Sequence, residues 1–121
     1  MDYDFGPWIE STASTRLSRY RYDYANGKLV VEWRNGRGHV FTTYEIGEPA
    51  DPDDPNDTSY GATTYRKFAI AVSKGKYVNT TLNPFGYERS TPDEINAPSN
   101  VARRAVKSID TNSSRGRKGA V

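Results

Sequence analysis

The chain of 121 residues contains no cysteine, a single histidine and no long run of apolar residues. The absence of cysteine excludes disulfide bonds, thiolate catalysis and zinc sites built on thiolates. No stretch approaches the roughly 20 consecutive apolar residues of a membrane span. The first residues, Met1–Phe5, lack the basic start and apolar stretch of a secretory signal. We therefore expect a protein that is cytoplasmic when synthesised and contacts no membrane.

Apolar residues make up 35% of the chain and the mean hydropathy is −0.85, both low for a globular protein. They concentrate between Leu17 and Tyr87, so we expect one small core that buries about 60% of its unfolded surface. Nine tyrosines compensate in part, because each brings a large apolar ring with a polar tip. The composition predicts one small domain with polar extensions.

Charge is strongly segregated along the chain, although the net charge is only +2. Residues 47–60 carry five acidic side chains and no basic one: Glu48, Asp51, Asp53, Asp54 and Asp57. Residues 92–121 carry six basic side chains against three acidic ones. A basic segment of this kind can meet nucleic acid, an acidic protein surface or only water.

Alternation of apolar and polar residues predicts three antiparallel strands in the first half of the chain. Asn26-Gly27 predicts a type I′ turn between the first two strands, and a third strand is expected over residues 39–46. The first strand puts tyrosines on one side and charged residues on the other: Tyr20, Tyr22 and Tyr24 against Arg19, Arg21 and Asp23. The second strand puts Leu29, Val31 and Trp33 on one side.

A loop over residues 47–62 and then a helix are predicted after the strands, because prolines and aspartates interrupt both periodicities in the loop. Thr63 or Thr64 can cap the helix, and Gly75 is expected to end it as a left-handed residue. One helix face would carry Tyr65, Phe68, Ala69 and Val72. Residues 77–82 are expected to be extended. The predicted fold class is α+β: a three-stranded antiparallel meander packed on one helix, with a short extended segment.

Two arms flank this predicted domain of residues 14–90, in which 47–62 is an acidic insertion. Residues 1–13 form an aromatic arm that can dock on its own domain or on a neighbour, through Tyr3, Phe5, Trp8 and Ile9. Residues 91–121 form a basic arm, in which Ser99 can cap a short helix. That helix would carry a narrow apolar stripe of Val101, Ala105 and Ile109, with Arg103 and Arg104 opposite.

Two segments carry a resemblance to a known family: Leu29-Val30-Val31-Glu32-Trp33-Arg34-Asn35-Gly36 and Ser73-Lys74-Gly75-Lys76-Tyr77-Val78-Asn79. In this order and setting they resemble the KTSC domain, named after a C-terminal extension of some lysyl-tRNA synthetases and also found as free-standing short proteins. The match runs over residues 14–89. Two features depart from the family pattern: its Tyr-x-Tyr stands here as Phe41-Thr42-Thr43, and the loop before the helix is long and acidic.

The resemblance implies a protein without catalysis, since none is established for the family, and RNA binding, which has been suggested for it. The residues themselves offer basic groups interleaved with aromatic ones, a combination that holds single strands. Candidates for nucleic-acid binding are Arg19, Arg21, Lys74, Lys76 and Tyr77. Against this role, the core needs tyrosines, and the acidic loop would repel phosphates.

Catalytic and metal chemistry find little support in the sequence. His39 has no serine or carboxylate at a suggestive spacing, which favours an ordinary surface or hydrogen-bonded histidine. The acidic loop could bind calcium, but it has a proline at the fifth position and no glycine at the sixth, so it fails the EF-hand pattern. We expect no enzyme activity, cofactor, metal or small-molecule substrate, and we interpret this loop as solvated or facing a partner.

The leading interpretation is a non-enzymatic assembly or structural accessory protein, whose two arms bind neighbouring subunits of a larger complex. Compact folds with arms laced across other subunits are typical of small accessory proteins of phage particles, so a capsid-associated virion component is the expected setting, by analogy. The alternative interpretation is a small RNA-binding module of the KTSC type.

Overall fold

The computed structural model describes residues 3–11, 16–35, 38–71 and 73–100. The expected helix stripe and its two arginines (Val101, Arg103, Arg104, Ala105 and Ile109) lie outside the described residues. The described chain forms an α+β fold around a five-stranded antiparallel sheet, in which each strand pairs with the next one along the chain. The strands are β1 (Ile9–Glu10), β2 (Leu17–Asp23), β3 (Lys28–Asn35), β4 (Gly38–Glu45) and β5 (Tyr87–Arg89).

The hairpin of β2 and β3 forms where the alternation predicts it, but its details differ from the prediction. A bulge between Leu17 and Arg19 shifts the register, so that Leu17 faces the same side as Tyr20. A four-residue loop, Tyr24–Gly27, joins the strands, so the predicted type I′ turn is wrong. The Asp23 carboxylate accepts hydrogen bonds from the loop that follows it and thereby stabilises the longer connection.

Helical elements follow the strands. They are α1 (Tyr60–Ile70), α2 (Lys74–Tyr77), a π-helical turn (Val78–Leu82), a 3₁₀ turn (Asn83–Phe85) and α3 (Pro92–Asn96). None of the helices in the described ranges has both the length and the apolar character that crossing a bilayer requires.

The limits predicted for the main helix are wrong at both ends. Ser59, and neither Thr63 nor Thr64, is the N-cap, and its hydroxyl accepts a hydrogen bond from the Ala62 amide at 3.4 Å. The helix stops at Ile70, because Ala71 adopts an extended backbone with φ −63° and ψ 131°.

Gly75 and the residues after it also differ from the prediction. Gly75 lies inside α2 and is buried, so it does not end the main helix as a left-handed residue. Residues 77–82 are helical and not extended. Val78 and Leu82 are buried in the core while Thr80 is exposed. A strand would put all three side chains on one face, so this pattern is that of a helix.

The core lies between one face of the sheet and the helices, and we call this the first face. The predicted faces of β2 and β3 are confirmed, since their tyrosines and aliphatic residues meet α1 here. Tyr20 contacts Phe68 edge-on with 4.8 Å between ring centroids, and Tyr22 stacks on Tyr65 at 4.4 Å. The buried cluster comprises Ile9, Leu17, Tyr20, Tyr22, Tyr24, Leu29, Val31, Tyr44, Ile46, Tyr65, Phe68, Val78 and Leu82.

The opposite face of the sheet, the second face, is covered by the N-terminal segment and by the segment after β5. The N-terminal segment lies along the edge of β2, where the Gly6 amide donates to Tyr22 O at 3.0 Å. Residues 91–100 were predicted as part of the basic arm, but they include α3, which Thr91 and Glu94 begin with a capping box. The two segments meet where the Asn100 amide donates to Phe5 O.

Candidate nucleic-acid interface

A group of basic and aromatic residues lies at the end of the sheet where β2 begins and β3 ends. Because of the β2 bulge, Arg16 lies beside Arg34, whose amide donates to Arg16 O at 2.6 Å. The guanidinium of Arg16 lies over the Trp33 ring, 5.9 Å from its centroid. The Trp33 indole N–H is fixed by the Thr42 hydroxyl at 3.2 Å. Arg34 follows Trp33 along β3, so its side chain points to the second face, where it donates to Ser11 O at 3.3 Å. This end of the sheet therefore carries an arginine on each face, with Arg16 over a held indole ring.

Helix α2 brings further positive charge to the same end. A side chain at Gly75 would stand 3.8 Å from Arg16 Cβ, so α2 packs directly beside Arg16. Lys76 follows Gly75 and is exposed. We call the set of Arg16, Trp33, Arg34 and Lys76 the basic corner. Arg16 and Arg34 are both exposed, whereas Trp33 is half-buried.

The basic corner includes only one of the five residues predicted for nucleic-acid binding. Lys76 belongs to it and is exposed. Its neighbour Tyr77 is half-buried and packs against the core beside Phe68, which raises the pKa of its hydroxyl through burial. Arg19 is partly exposed, but it lies on the second face, paired with Glu32 and placed over Trp8.

Arg21 and Lys74 are not exposed as the prediction required. The Arg21 side chain is 1% exposed and donates to Gly6 O, Ala97 O and the Ser99 hydroxyl. Burial is the main cause that lowers its pKa to about 10, so it stays charged at neutral pH. Lys74 is equally buried, and its Nζ donates to Ala71 O at 3.3 Å. Arg21 and Lys74 therefore stabilise neighbouring turns of the same chain, because the backbone carbonyls of those turns accept their hydrogen bonds.

Sequence reasoning missed Arg16, Trp33 and Arg34 as a group. The signal was available in part, since pairing the two strands outward from Asn26-Gly27 brings the start of β2 near the end of β3. The bulge that sets Arg16 opposite Arg34 has no sequence signature here.

The acidic loop lies at the opposite end of the sheet from the basic corner. A side chain at Gly27, in the β2–β3 loop, would stand 2.4 Å from Gly47 O and 2.9 Å from Glu48 O. The loop therefore packs on the hairpin tip. The seven residues of β2 lie between the acidic loop and Arg16. At roughly 3.3 Å per residue, this distance is about 20 Å. Since charges are screened over about 8 Å at physiological ionic strength, the loop repels a phosphate at the basic corner only weakly.

Carboxylates of the acidic loop are used mainly to hold the loop itself. Asp57 accepts from the Asp51 amide at 2.6 Å and from the Ser59 amide at 2.9 Å. These hydrogen bonds lower the pKa of Asp57 to about 2. Arg66 of α1 donates to Pro52 O and to Asp54 O. In the described ranges, no group of three or more His, Cys, Asp or Glu side chains is placed to hold a metal ion.

The aromatic arm predicted to bind neighbours is largely used by its own domain. Phe5 is 1% exposed and Ile9 7%, because Ile9 pairs with Tyr20 in the sheet and Phe5 lies against Arg21. Trp8 is half-buried on the second face, with 5.9 Å between its ring and that of Phe41. Tyr3 stacks obliquely on Phe5. The aromatic arm therefore docks on its own domain in the structure. The assembly interpretation then depends on residues 101–121.

No protein-family model matches the chain, and neither a curated protein nor a solved structure matches it significantly.

Proposed function

We propose that this protein is a non-enzymatic binding module that holds single-stranded nucleic acid, RNA in the first instance, at the basic corner. The observation that carries the proposal is the Arg16 guanidinium over the Trp33 ring, with Arg34 and Lys76 at the same end of the sheet, far from the acidic loop. Guanidinium and ammonium groups neutralise phosphates, while an indole ring that already stacks on Arg16 can extend that stack to a base. The resemblance to the KTSC domain favours the same role.

A single strand suits the site better than a duplex. Arg16 stacked on the indole, with two further cations at the same end of the sheet, forms a contact for about two or three nucleotides. A base can reach the half-buried ring only if it is not paired. With about three phosphates neutralised, the logarithm of the binding constant should fall with the logarithm of salt concentration with a slope near −2. Affinity should then fall roughly 20-fold between about 50 and 200 mM salt.

Chemical-shift mapping with a mixed-sequence RNA of about ten nucleotides tests where the strand binds. We expect the shifts to concentrate on the amides of Arg16, Arg34 and Lys76 and on the Trp33 indole N–H. The Trp8 indole serves as the internal control, because it lies on the second face against Phe41. Shifts confined to the second face or to the acidic loop, or none at low salt, would overturn the proposal.

A further inference from the structure

Strand β5 ends the sheet of the described residues with an open edge. Tyr87, Glu88 and Arg89 are all exposed, and Tyr87 is 60% exposed. The Ser90 amide donates to Phe41 O, so alternation along an antiparallel pair turns the Glu88 amide toward β4 and the amides of Tyr87 and Arg89 outward. Outward amides and carbonyls of this kind accept a further strand.

A cleft beside this edge carries negative charge. Its lining residues are Thr43, Glu45, Gly86, Tyr87 and Glu88. Both carboxylates are exposed and lie on the second face, since Thr43 pairs with Glu88 and hydrogen-bonds to Glu94 of α3. The lining includes no cation, so the chemistry of the cleft fits an extended basic segment.

The chain itself supplies such a segment. Residues 101–121 carry six basic side chains and one acidic one. The described chain ends at Asn100, whose side chain donates to Asp4 on the side of β2 away from β5. The distance from this segment beside β2 to β5 is four strand spacings, about 19 Å, which about six extended residues can cover. More than enough chain then remains to run along β5.

We propose that the segment of residues 101–121 docks on the β5 edge of its own chain, with its basic side chains at Glu45 and Glu88. The same chain is the favoured donor, because a short tether gives the segment an effective concentration of about 1 mM. A dissociation constant near about 0.1 mM would then suffice for roughly tenfold protection of the outward amides. The inference rests on Glu45 and Glu88 and uses none of the residues of the basic corner.

Hydrogen exchange of the full chain tests the docking. We expect the amides of Tyr87 and Arg89 to exchange about tenfold faster in the triple variant K107E/R115E/R117E than in the unchanged protein. The Glu88 amide, paired with β4, should not change and reports that each variant is folded. The pair E45K/E88K should also release the segment, and combining it with K107E/R115E/R117E should restore protection.

A matched control separates the β5 edge from the acidic loop. The pair D53K/D54K makes the same change in charge at the loop and should leave the exchange of Tyr87 and Arg89 unaltered. The proposal is overturned if E45K/E88K has no effect, or if D53K/D54K releases the segment instead. Protection that rises with protein concentration would show docking between copies and would equally overturn docking within one chain.

Discussion

Single residues decide several local features of this protein, and glycines show it most directly. Gly27 has φ +66°, and a side chain there would stand 2.4 Å from Gly47 O, which belongs to the backbone. Gly75, by contrast, has its nearest neighbour at 3.8 Å and lies in a helix. The two glycines therefore have opposite roles, although Gly75 belongs to the more conspicuous sequence motif.

Alanine substitutions separate these roles. We expect Gly27→Ala to lower the free energy of unfolding by about 2 kcal/mol or more, because both the positive φ and the contact are strained. Gly75→Ala should be neutral or stabilising by up to about 1 kcal/mol, since alanine favours a helix. Urea unfolding of both variants measures this. A large decrease in the free energy of unfolding for Gly75→Ala would support a left-handed residue at that position and contradict the described helix.

Buried tyrosines make stability sensitive to high pH. Burial is the main cause that raises the pKa of Tyr44 to about 12, and it also raises the pKa of Tyr22 and Tyr65. The pKa of each of these hydroxyls is higher in the folded state than the unfolded value of about 10. Their contribution to the free energy of unfolding is therefore complete below about pH 10 and is lost as pH rises toward about 12.

Alkaline titration checks this expectation. The free energy of unfolding should fall by on the order of 1 kcal/mol per pH unit for each such tyrosine above about pH 10. Tyrosinate absorbance and the circular dichroism of the sheet should change together, because the rings ionise only when the core opens. Ionisation of all nine tyrosines at an ordinary pKa with the sheet intact would contradict the burial.

At the scale of elements, alternation predicted the faces of β2 and β3 correctly, because each strand buries one side in the core. The helical path of residues 77–82 was missed, since Val78, Thr80 and Thr81 favour strands by propensity. Burial of Val78 and Leu82 with Thr80 exposed is the pattern of a helix. Helix α3 did have a signal, the Thr91-Pro92-Asp93-Glu94 capping box.

The second face could not be predicted, because it depends on contacts between distant segments. Arg21 joins the N-terminal segment to α3 by donating to Gly6 O on one side and to Ala97 O on the other. No local pattern indicates that a strand arginine will be buried, since the acceptors are backbone carbonyls from both ends of the chain. From the sequence, Arg21 was therefore placed in the candidate nucleic-acid site.

Substitution of Arg21 tests its role as the link between these segments. Arg21→Lys should lower the free energy of unfolding by about 2–4 kcal/mol, because a lysine cannot reproduce the fork of donors in a buried site. Arg89→Lys, on exposed β5, is the matched control and should change it by less than about 0.5 kcal/mol. Hydrogen exchange should also quicken at Gly6 and Asn100 before the core opens. Equal effects of the two substitutions would show that the Arg21 contacts carry no stability.

The molecule as a whole has a charge polarity that the net charge of +2 conceals. The acidic loop packs at the hairpin tip, while Arg16, Arg34 and Lys76 lie at the far end of the sheet. A field of this shape orients an approaching polyanion toward the basic corner. The sequence shows the acidic run but not its distance from the bases, which only the fold sets.

Screening makes the acidic loop relevant at low salt only. D53N/D54N should leave RNA affinity unchanged at about 150 mM salt, where the Debye length is about 8 Å, and raise it at about 10 mM, where that length reaches about 30 Å. Parallel titrations at the two concentrations measure the difference. An equal gain at both would place the loop next to the bound strand.

The salt dependence of RNA binding tests the central claim most directly. Anisotropy of a labelled single-stranded RNA should give a slope near −2 for the unchanged protein, and R16E and K76E should each weaken binding and bring the slope about 0.7 or more closer to zero. K67E, the same charge change at an exposed residue of α1 next to Arg66, which donates to the acidic loop, should leave the slope as it is. Binding that is absent at low salt, or that K67E weakens as much as R16E, would contradict a nucleic-acid site at the basic corner.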